Sequence, residues 1–311
     1  MDVSVIMLTY NREELVGRAI ESILNQTMKN FEFIIVDNGS KDRSGTIADE
    51  YSKKDKRIRV IHIPKNINIG TGRNAGVDAA TGEYVTFIDD DDIAEKDMLE
   101  FLYHLAKEED ADISICGSTK EVNGEILPNY VFEEKLVLTA EEGVVEMLKR
   151  KKYNAAEPTK LMRRALLCQE RFRTDRTIDD ISVMYKYFAM ANRVVAHGIP
   201  KYCFSRHSGN ISAFTTNSKL WTAERMKEYF IAFRERTEYL SNKLPGIAEY
   251  VQYSEWSYMI SMCNKISINH LTDCKEHLVY VKNELKEHYD EFYNSPYIEE
   301  FEREYMEKYI R

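Results

Sequence analysis

Four consecutive carboxylates, Asp89-Asp90-Asp91-Asp92, directly follow an apolar stretch at residues 84–88. Like charges this close raise one another's pKa or recruit a cation. In an extended segment Asp89 and Asp91 point to the same side. Two hard oxygen ligands, joined by phosphate oxygens, suit Mg²⁺ or Mn²⁺. The plainer reading is an acidic helix start, capped by Asp92 and favoured by the helix dipole. Asp37-Asn38-Gly39-Ser40 follows a second apolar run, 31–36, and Thr9-Tyr10-Asn11 follows a third, 3–8. A carboxylate at a strand end can accept an N–H from a ligand; Asp37 also suits a plain Asp-Asn-Gly turn. Gly70-Thr71-Gly72-Arg73-Asn74-Ala75 fits G-x-G-x-x-A, a dinucleotide-binding pattern with acids about 20 residues on. It would make the chain an NAD-dependent oxidoreductase. Against that, residues 64–69 separate the preceding strand from Gly70, whereas the pattern needs its first glycine at the strand end. Arg73 then reads either as a cation beside phosphates or as a solvated first-turn arginine.

The elements that must position these residues alternate. Apolar runs at 3–8, 31–36, 59–63, 84–88 and 112–116 read as strands. Helical patterns lie between them: to about Asn25 after an Asn11/Glu14 capping box, after Ser40 as a cap, from residues 70–76, and over 95–108. Such a series implies an α/β, Rossmann-like fold: a mostly parallel sheet flanked by helices, with ligands beyond the carboxyl ends of its strands. The polar clusters fall at those ends. Val122-Asn123-Gly124-Glu125-Ile126 reads as a hairpin with a type I′ turn. Helices are expected near 140–150, 158–167 and 179–191, and a short strand pair near 194–206. From Trp221 onward the chain reads as helical, with many tyrosines.

Bulk properties exclude several classes. The length of 311 residues suffices for one large α/β domain, alone or with a smaller appendage. A net charge of -9 argues against a general nucleic-acid binder. The cysteines are odd in number, scattered and free of any C-x-x-C pair, which argues against a zinc knuckle or disulfide framework and fits a reducing cytoplasm. The run 3–8 is too short for a signal-peptide core, and no stretch of ~20 apolar residues suggests a membrane span. Peripheral contact with the inner membrane face stays open. There is no Gly-x-Ser-x-Gly elbow and no Walker-type loop.

Together, Val5-Ile6-Met7-Leu8-Thr9-Tyr10-Asn11, Ile35-Val36-Asp37-Asn38-Gly39-Ser40, Gly72-Arg73-Asn74-Ala75-Gly76 and Phe87-Ile88-Asp89-Asp90-Asp91-Asp92 resemble family 2 glycosyltransferases of the GT-A fold. The resemblance covers residues 1–120 strongly and 121–215 more weakly. It implies an inverting, metal-dependent enzyme using a nucleotide-sugar, with UDP the typical nucleotide, in surface polysaccharide synthesis. By that resemblance Thr9, Tyr10 and Asn11 would line the base pocket and Asp37 would bind the base. Arg73 would sit near the donor and Asp89 near the ribose. Asp90 would be the middle residue of a D-x-D element, and Asp91 would hold Mn²⁺ or Mg²⁺.

An inverting transfer also needs a base for the acceptor hydroxyl. The family's Glu-Asp pair is matched here by Asp179-Asp180, which makes Asp180 the base and sets Asp179 where Glu is usual. A carboxyl beside another acid has a raised pKa, which suits proton uptake near neutral pH. The segment Tyr202-Cys203-Phe204-Ser205-Arg206-His207-Ser208-Gly209-Asn210-Ile211-Ser212 resembles the family's Tyr-Arg-x-His-x-x-Ser-x-Ser segment. It makes His207 a metal or diphosphate ligand, or else a hydrogen-bonded structural histidine, and Arg206 a phosphate partner. The Gln-x-x-Arg-Trp segment of processive members is absent, so a single-addition enzyme is expected. The acceptor is expected to be a saccharide, lipid-linked or free. The expected organisation is a catalytic domain over 1–215, split into a donor half (1–120) and an acceptor and base half (121–215). A helical region over 220–311 follows, with a homodimer through its helices as one role. A catalytically silent, transferase-like partner protein is the remaining alternative; intact Asp37, Asp89, Asp91 and Asp180 argue against it.

Overall fold

The apolar runs become the inner strands of a sheet. The computed structural model describes residues 1–311 except Ser208, Ile211, Ser212, Thr215 and Thr216. Strands β1 (Val3–Thr9), β2 (Phe31–Asp37), β3 (Ile58–His62) and β4 (Tyr84–Asp89) lie in the order β3-β2-β1-β4, all parallel. β1, β2 and β4 are buried along nearly their whole length, as unbroken apolar runs require, while the edge strand β3 alternates with solvent. Helices α1 (Val16–Leu24), α2 (Ser44–Ser52) and α3 (Ile69–Ala79) make the crossovers.

Two expected helix starts differ. α1 begins at Val16 with no side-chain cap, so the Asn11/Glu14 capping box does not form. Asn11 instead takes φ +52°. Its N–H donates to Ser40 Oγ at 3.1 Å, and its Oδ1 accepts the Lys41 N–H at 2.8 Å. Ser40 is therefore engaged with Asn11 and does not cap α2. Hydrogen bonding between the loops of adjacent strand ends outweighs both local caps.

The second half of the sheet is mixed. In chain order come β5 (Ile93–Ala94), α4 (Met98–Glu108), β6 (Ile113–Val122), β7 (Glu125–Tyr130), β8 (Lys135–Leu138), α5 (Ala140–Lys149), β9 (Lys160–Arg163), α6 (Arg164–Gln169), α7 (Asp180–Met190) and β10 (Val194–Arg206). The order continues β4-β9-β6-β10-β5, with β9 antiparallel to both β4 and β6. Asn123 and Gly124, with φ +53° and +83°, form the two-residue turn expected of Asn-Gly. The helix expected over 158–167 is instead β9 followed by α6. Four residues are too few to show a period, and their strand form comes from two flanking partners. The strand pair expected over 194–206 is one strand, with irregular register around Pro200. Residues 1–206 form one compact unit, whose core includes Val5, Met7, Ile20, Phe33, Ile35, Ile88, Leu99 and Leu161.

The second unit, His207–Arg311, is helical. α8 (Ala223–Lys243), α9 (Ala248–Ile268), α10 (Lys275–Glu287), α11 (Tyr289–Tyr293) and α12 (Glu300–Tyr309) enclose Met226, Phe230, Trp256, Ile260, Cys263 and Met306. The aromatic stripes read from the sequence are largely this core. Tyr253, for example, donates to the buried Glu302 at 3.0 Å. Among the described residues, no helix is long and apolar enough to cross a membrane.

Candidate active site

The register of the parallel strands sets the expected donor residues side by side. Thr9 on β1 is the cross-strand partner of Asp37 on β2, and Leu8 is that of Asp89 on β4. The three strand ends therefore form one edge. Asp37 is buried; its Oδ1 accepts the Ser40 N–H at 2.9 Å, and its Oδ2 lies 3.0 Å from His62 Nδ1. The other ring nitrogen of His62 lies 3.1 Å from Asp49. These carboxylates, Asp37 first, raise the histidine's pKa against the opposing effect of burial. Gly45 is required here, because a Cβ would collide with the Asp37 carboxylate. The Asp-Asn-Gly turn and an acceptor carboxylate are thus one structure. Next to it, the buried Asn38 Oδ1 has no hydrogen-bond partner among the described residues, an acceptor that a ligand N–H could satisfy.

The acidic run is a turn, which corrects the extended geometry expected of Asp89 and Asp91. The Asp92 N–H closes it on Asp89 O at 3.3 Å. A turn separates four like charges, so that each meets a different partner. Asp90 reaches back to β1, accepting the Tyr10 N–H at 3.3 Å and pairing with Arg12 at 3.7 Å. Burial, opposed in part by the Thr9 hydroxyl, pushes its carboxyl up to about 7. Asp92 faces inward, accepting the Ser205 N–H at 2.7 Å and a hydrogen bond from Tyr202; burial holds its pKa well above the ordinary range. Its role is to lock the turn onto β10. Asp89 keeps a carboxyl partly open to solvent, 3.8 Å from Arg73 Nη2. Protein crowding pushes it up to about 6; Arg73 opposes the rise, and Asp91, Asp179 and Asp180 add to it. Arg18 holds the main chain of the turn, donating to Asp91 O at 2.9 Å and to Ser205 Oγ at 2.8 Å.

The carboxylates of this run are of the ligand type that a hard divalent cation takes. Arg12 and Arg73 approach Asp90 and Asp89, and Asp91 is buried beside them in sequence. The donor set is oxygen only. Among the described residues no three metal-ligating side chains come together, so a cation held here would draw its remaining ligands from phosphate oxygens and water.

Arg73 departs from the solvated first-turn reading. It is buried, between the rings of Phe87 and Phe172 at 5.4 Å from each. Its Nη1 pairs with Glu157 and, at 2.9 Å, with Asp179. Burial opposes the charge, but Asp179, Glu157 and Asp89 hold its pKa above the ordinary value. The neighbouring glycines serve helix packing. They lie inside α3, where a Cβ on Gly72 would strike Leu8 and one on Gly76 would sit 2.5 Å from Ile6, so they bring α3 against β1. Asn68 caps α3, accepting the Thr71 N–H at 2.7 Å. Asn74 holds the main chain of Phe172, donating to its oxygen at 2.9 Å and accepting its N–H at 3.0 Å. α3 thereby carries the loop that leads to Asp179 and Asp180.

Asp180 opens α7, and its Oδ1 accepts the Ile181 N–H at 2.7 Å. Burial, then Asp179, raises its pKa. Below it the fully buried Lys160 donates to Ala156 O at 2.5 Å; burial lowers its pKa to about 8, against the pull of Glu157, Cys116 and Asp180. His207 lies in the second unit, where its N–H donates to Asn210 Oδ1 at 2.6 Å and its ring meets the Gly209 N–H at 3.2 Å. Ser208, Ile211 and Ser212 of that segment lie outside the described residues. Sequence reasoning missed Glu157, Lys160, Arg18 and the role of Asn74. Glu157 has no motif around it, and Lys160 falls in the stretch expected to be helical.

Comparison with known proteins bears on this arrangement. The model of the family described as glycosyl transferase family 2 matches residues 4–195. A glycosyltransferase of Streptococcus pneumoniae serotype 4 (strain ATCC BAA-334 / TIGR4), GlyG, is 33% identical over 220 residues, 67% of this chain and 72% of that protein. The poly(ribitol-phosphate) beta-N-acetylglucosaminyltransferase TarP of Staphylococcus aureus (strain N315) is 38% identical over 142 residues, 45% of this chain and 43% of its own. Two other curated glycosyltransferases are matched over 34% of their length. The crystal structure of S. aureus TarS 1-349 in complex with UDP-GlcNAc superposes with a TM-score of 0.75 at 22% identity, covering 92% of this chain and 81% of that one. That likeness is one of fold.

Proposed function

The chain belongs to glycosyl transferase family 2, and on that premise we propose that it transfers a hexosyl or N-acetylhexosaminyl group from a UDP-sugar to a saccharide acceptor, with inversion. The observation that carries this reading is a shared cation: Arg73 lies 3.8 Å from Asp89 at the expected donor edge and 2.9 Å from Asp179 at the start of α7. That proximity supports donor and base residues acting in one site.

Asp37 and Asn38 offer acceptors for the N–H of the nucleobase, and Thr9, Tyr10 and Asn11 line its pocket. Asp89 faces the ribose. A divalent cation, when held by Asp91, neutralises charge on the departing diphosphate. Asp180 accepts the proton of the acceptor hydroxyl as its oxygen bonds to the anomeric carbon and the bond from that carbon to the diphosphate oxygen breaks, releasing UDP. The raised pKa of Asp180 suits that proton transfer. UDP-GlcNAc in the TarS complex and the N-acetylglucosaminyl transfer named for TarP support an N-acetylhexosamine donor.

The test is turnover of UDP-GlcNAc and UDP-glucose with Mn²⁺, with EDTA, and in Asp91→Ala. Transfer is expected with Mn²⁺ and lost in the other two arms, with the product's anomeric configuration opposite to the donor's. Activity that survives both chelation and Asp91→Ala sinks the metal role; a product of retained configuration sinks the inversion.

A further inference from the structure

The buried Glu157 is unused by the chemistry just described. It is 2% exposed and precedes β9. A buried carboxylate is costly unless it is well paired, and its partner is Arg73 Nη1, the same nitrogen that meets Asp179 at 2.9 Å. Arg73 Nη2 faces Asp89 at 3.8 Å. One planar guanidinium thus gathers three carboxylates from three segments: the end of β4, the approach to β9 and the start of α7. Phe87 and Phe172 flank it. A guanidinium is a rigid fork, so fixing one nitrogen fixes the direction of the others.

We propose that Glu157 is a positioning residue for the transfer reaction: it pins Arg73 so that the guanidinium engages Asp179, leaving Asp180 as the carboxylate of the pair that faces the acceptor. This rests on the transfer reading above. Among the described residues Asp180 makes no ion pair with Arg73, while its Oδ1 is turned onto its own helix by Ile181. Glu157 acts through Arg73 and touches neither substrate. Without its charge the fork is free to rotate, and Asp179 and Asp180 compete for it. The distinction between the two acids, which their adjacency in the chain cannot provide, is then lost.

The experiment uses the full chain with Glu157→Gln, Glu157→Asp, Asp179→Asn and the double variant Glu157→Gln/Asp179→Asn. Glu157→Gln is expected to bind UDP within about twofold of the unaltered protein while kcat falls about 10- to 100-fold. Glu157→Asp is expected to recover part of that loss. The double variant is expected to be little worse than the worse single variant, because both changes break one linkage. A kcat that holds in Glu157→Gln, an equal loss of UDP affinity, or additive effects would each overturn the proposal. A crystal structure of Glu157→Gln reads the geometry without turnover. Arg73 is expected to release Asp179, and an unmoved guanidinium overturns the proposal even where transfer is confirmed. An unaltered protein that turns over no UDP-sugar defeats the transfer reading instead, and the crystallographic arm still decides the positioning of Arg73.

Discussion

At the scale of the residue, Asp180 joins two effects in one carboxyl. Burial, and then Asp179, lifts its pKa. In the proposed role of base it works only when ionised, so kcat/KM is expected to fall on acidification at a pH above the ordinary aspartate range. Asp180→Asn is expected to lower kcat by about 10²- to 10⁴-fold, read from initial rates. An acid limb at the same pH in the residual activity of Asp180→Asn would remove Asp180 from the role. Stability runs the other way. Between the ordinary and the raised pKa the native state binds more protons than the unfolded one, so Asp180 lowers stability as pH rises through that window. The Asp180→Asn variant is expected to lack that slope in urea titrations. Neither consequence could be read from Asp179-Asp180 alone. Two adjacent acids are equivalent until Arg73 selects one, and Arg73 itself looked like a surface or phosphate arginine.

At the scale of the element, α3 is the part that joins β1 to the segment leading into α7, and so the proposed donor edge to the proposed base. Its glycines bring it against β1, and Asn74 grips the main chain of Phe172 with both ends of its amide. Asn74→Ala leaves a main-chain N–H and C=O unmatched, which costs about 1–3 kcal/mol. The expected outcome is a lower urea midpoint together with a kcat that drops more than UDP affinity does. Equal losses in both would place Asn74 in the donor site instead. The segment 70–76 was legible as functional because its composition is unusual, but its chemistry was not. The same glycines serve phosphate approach or helix packing, and only the contact with Leu8 and Ile6 separates the two. β1, β2 and β4 were legible because both of their faces are buried. β9 was not, because its state comes from strands on either side of it.

At the scale of the whole molecule, a ligand that binds only the folded chain stabilises it by mass action. UDP with Mn²⁺ at a hundred times its dissociation constant is expected to add ~2.7 kcal/mol, seen as a rise in the thermal midpoint. A chain indifferent to UDP but stabilised by NAD(H) would return the G-x-G-x-x-A segment to its other meaning. What the sequence by itself determined is local: which runs are strands, that polar clusters follow them, and therefore that Thr9, Asp37 and Asp89 share an edge once the strands are parallel. Periodicity and strand order suffice for that, since neighbouring parallel strands bring their ends together. The tertiary structure alone decided how the charges are shared. Asp90 turns to β1, Asp92 to β10, and Asp89 and Asp179 to Arg73, with Glu157 behind them. The energy of a buried charge depends on which partners long-range packing brings within a few ångströms, and no spacing along the chain records that.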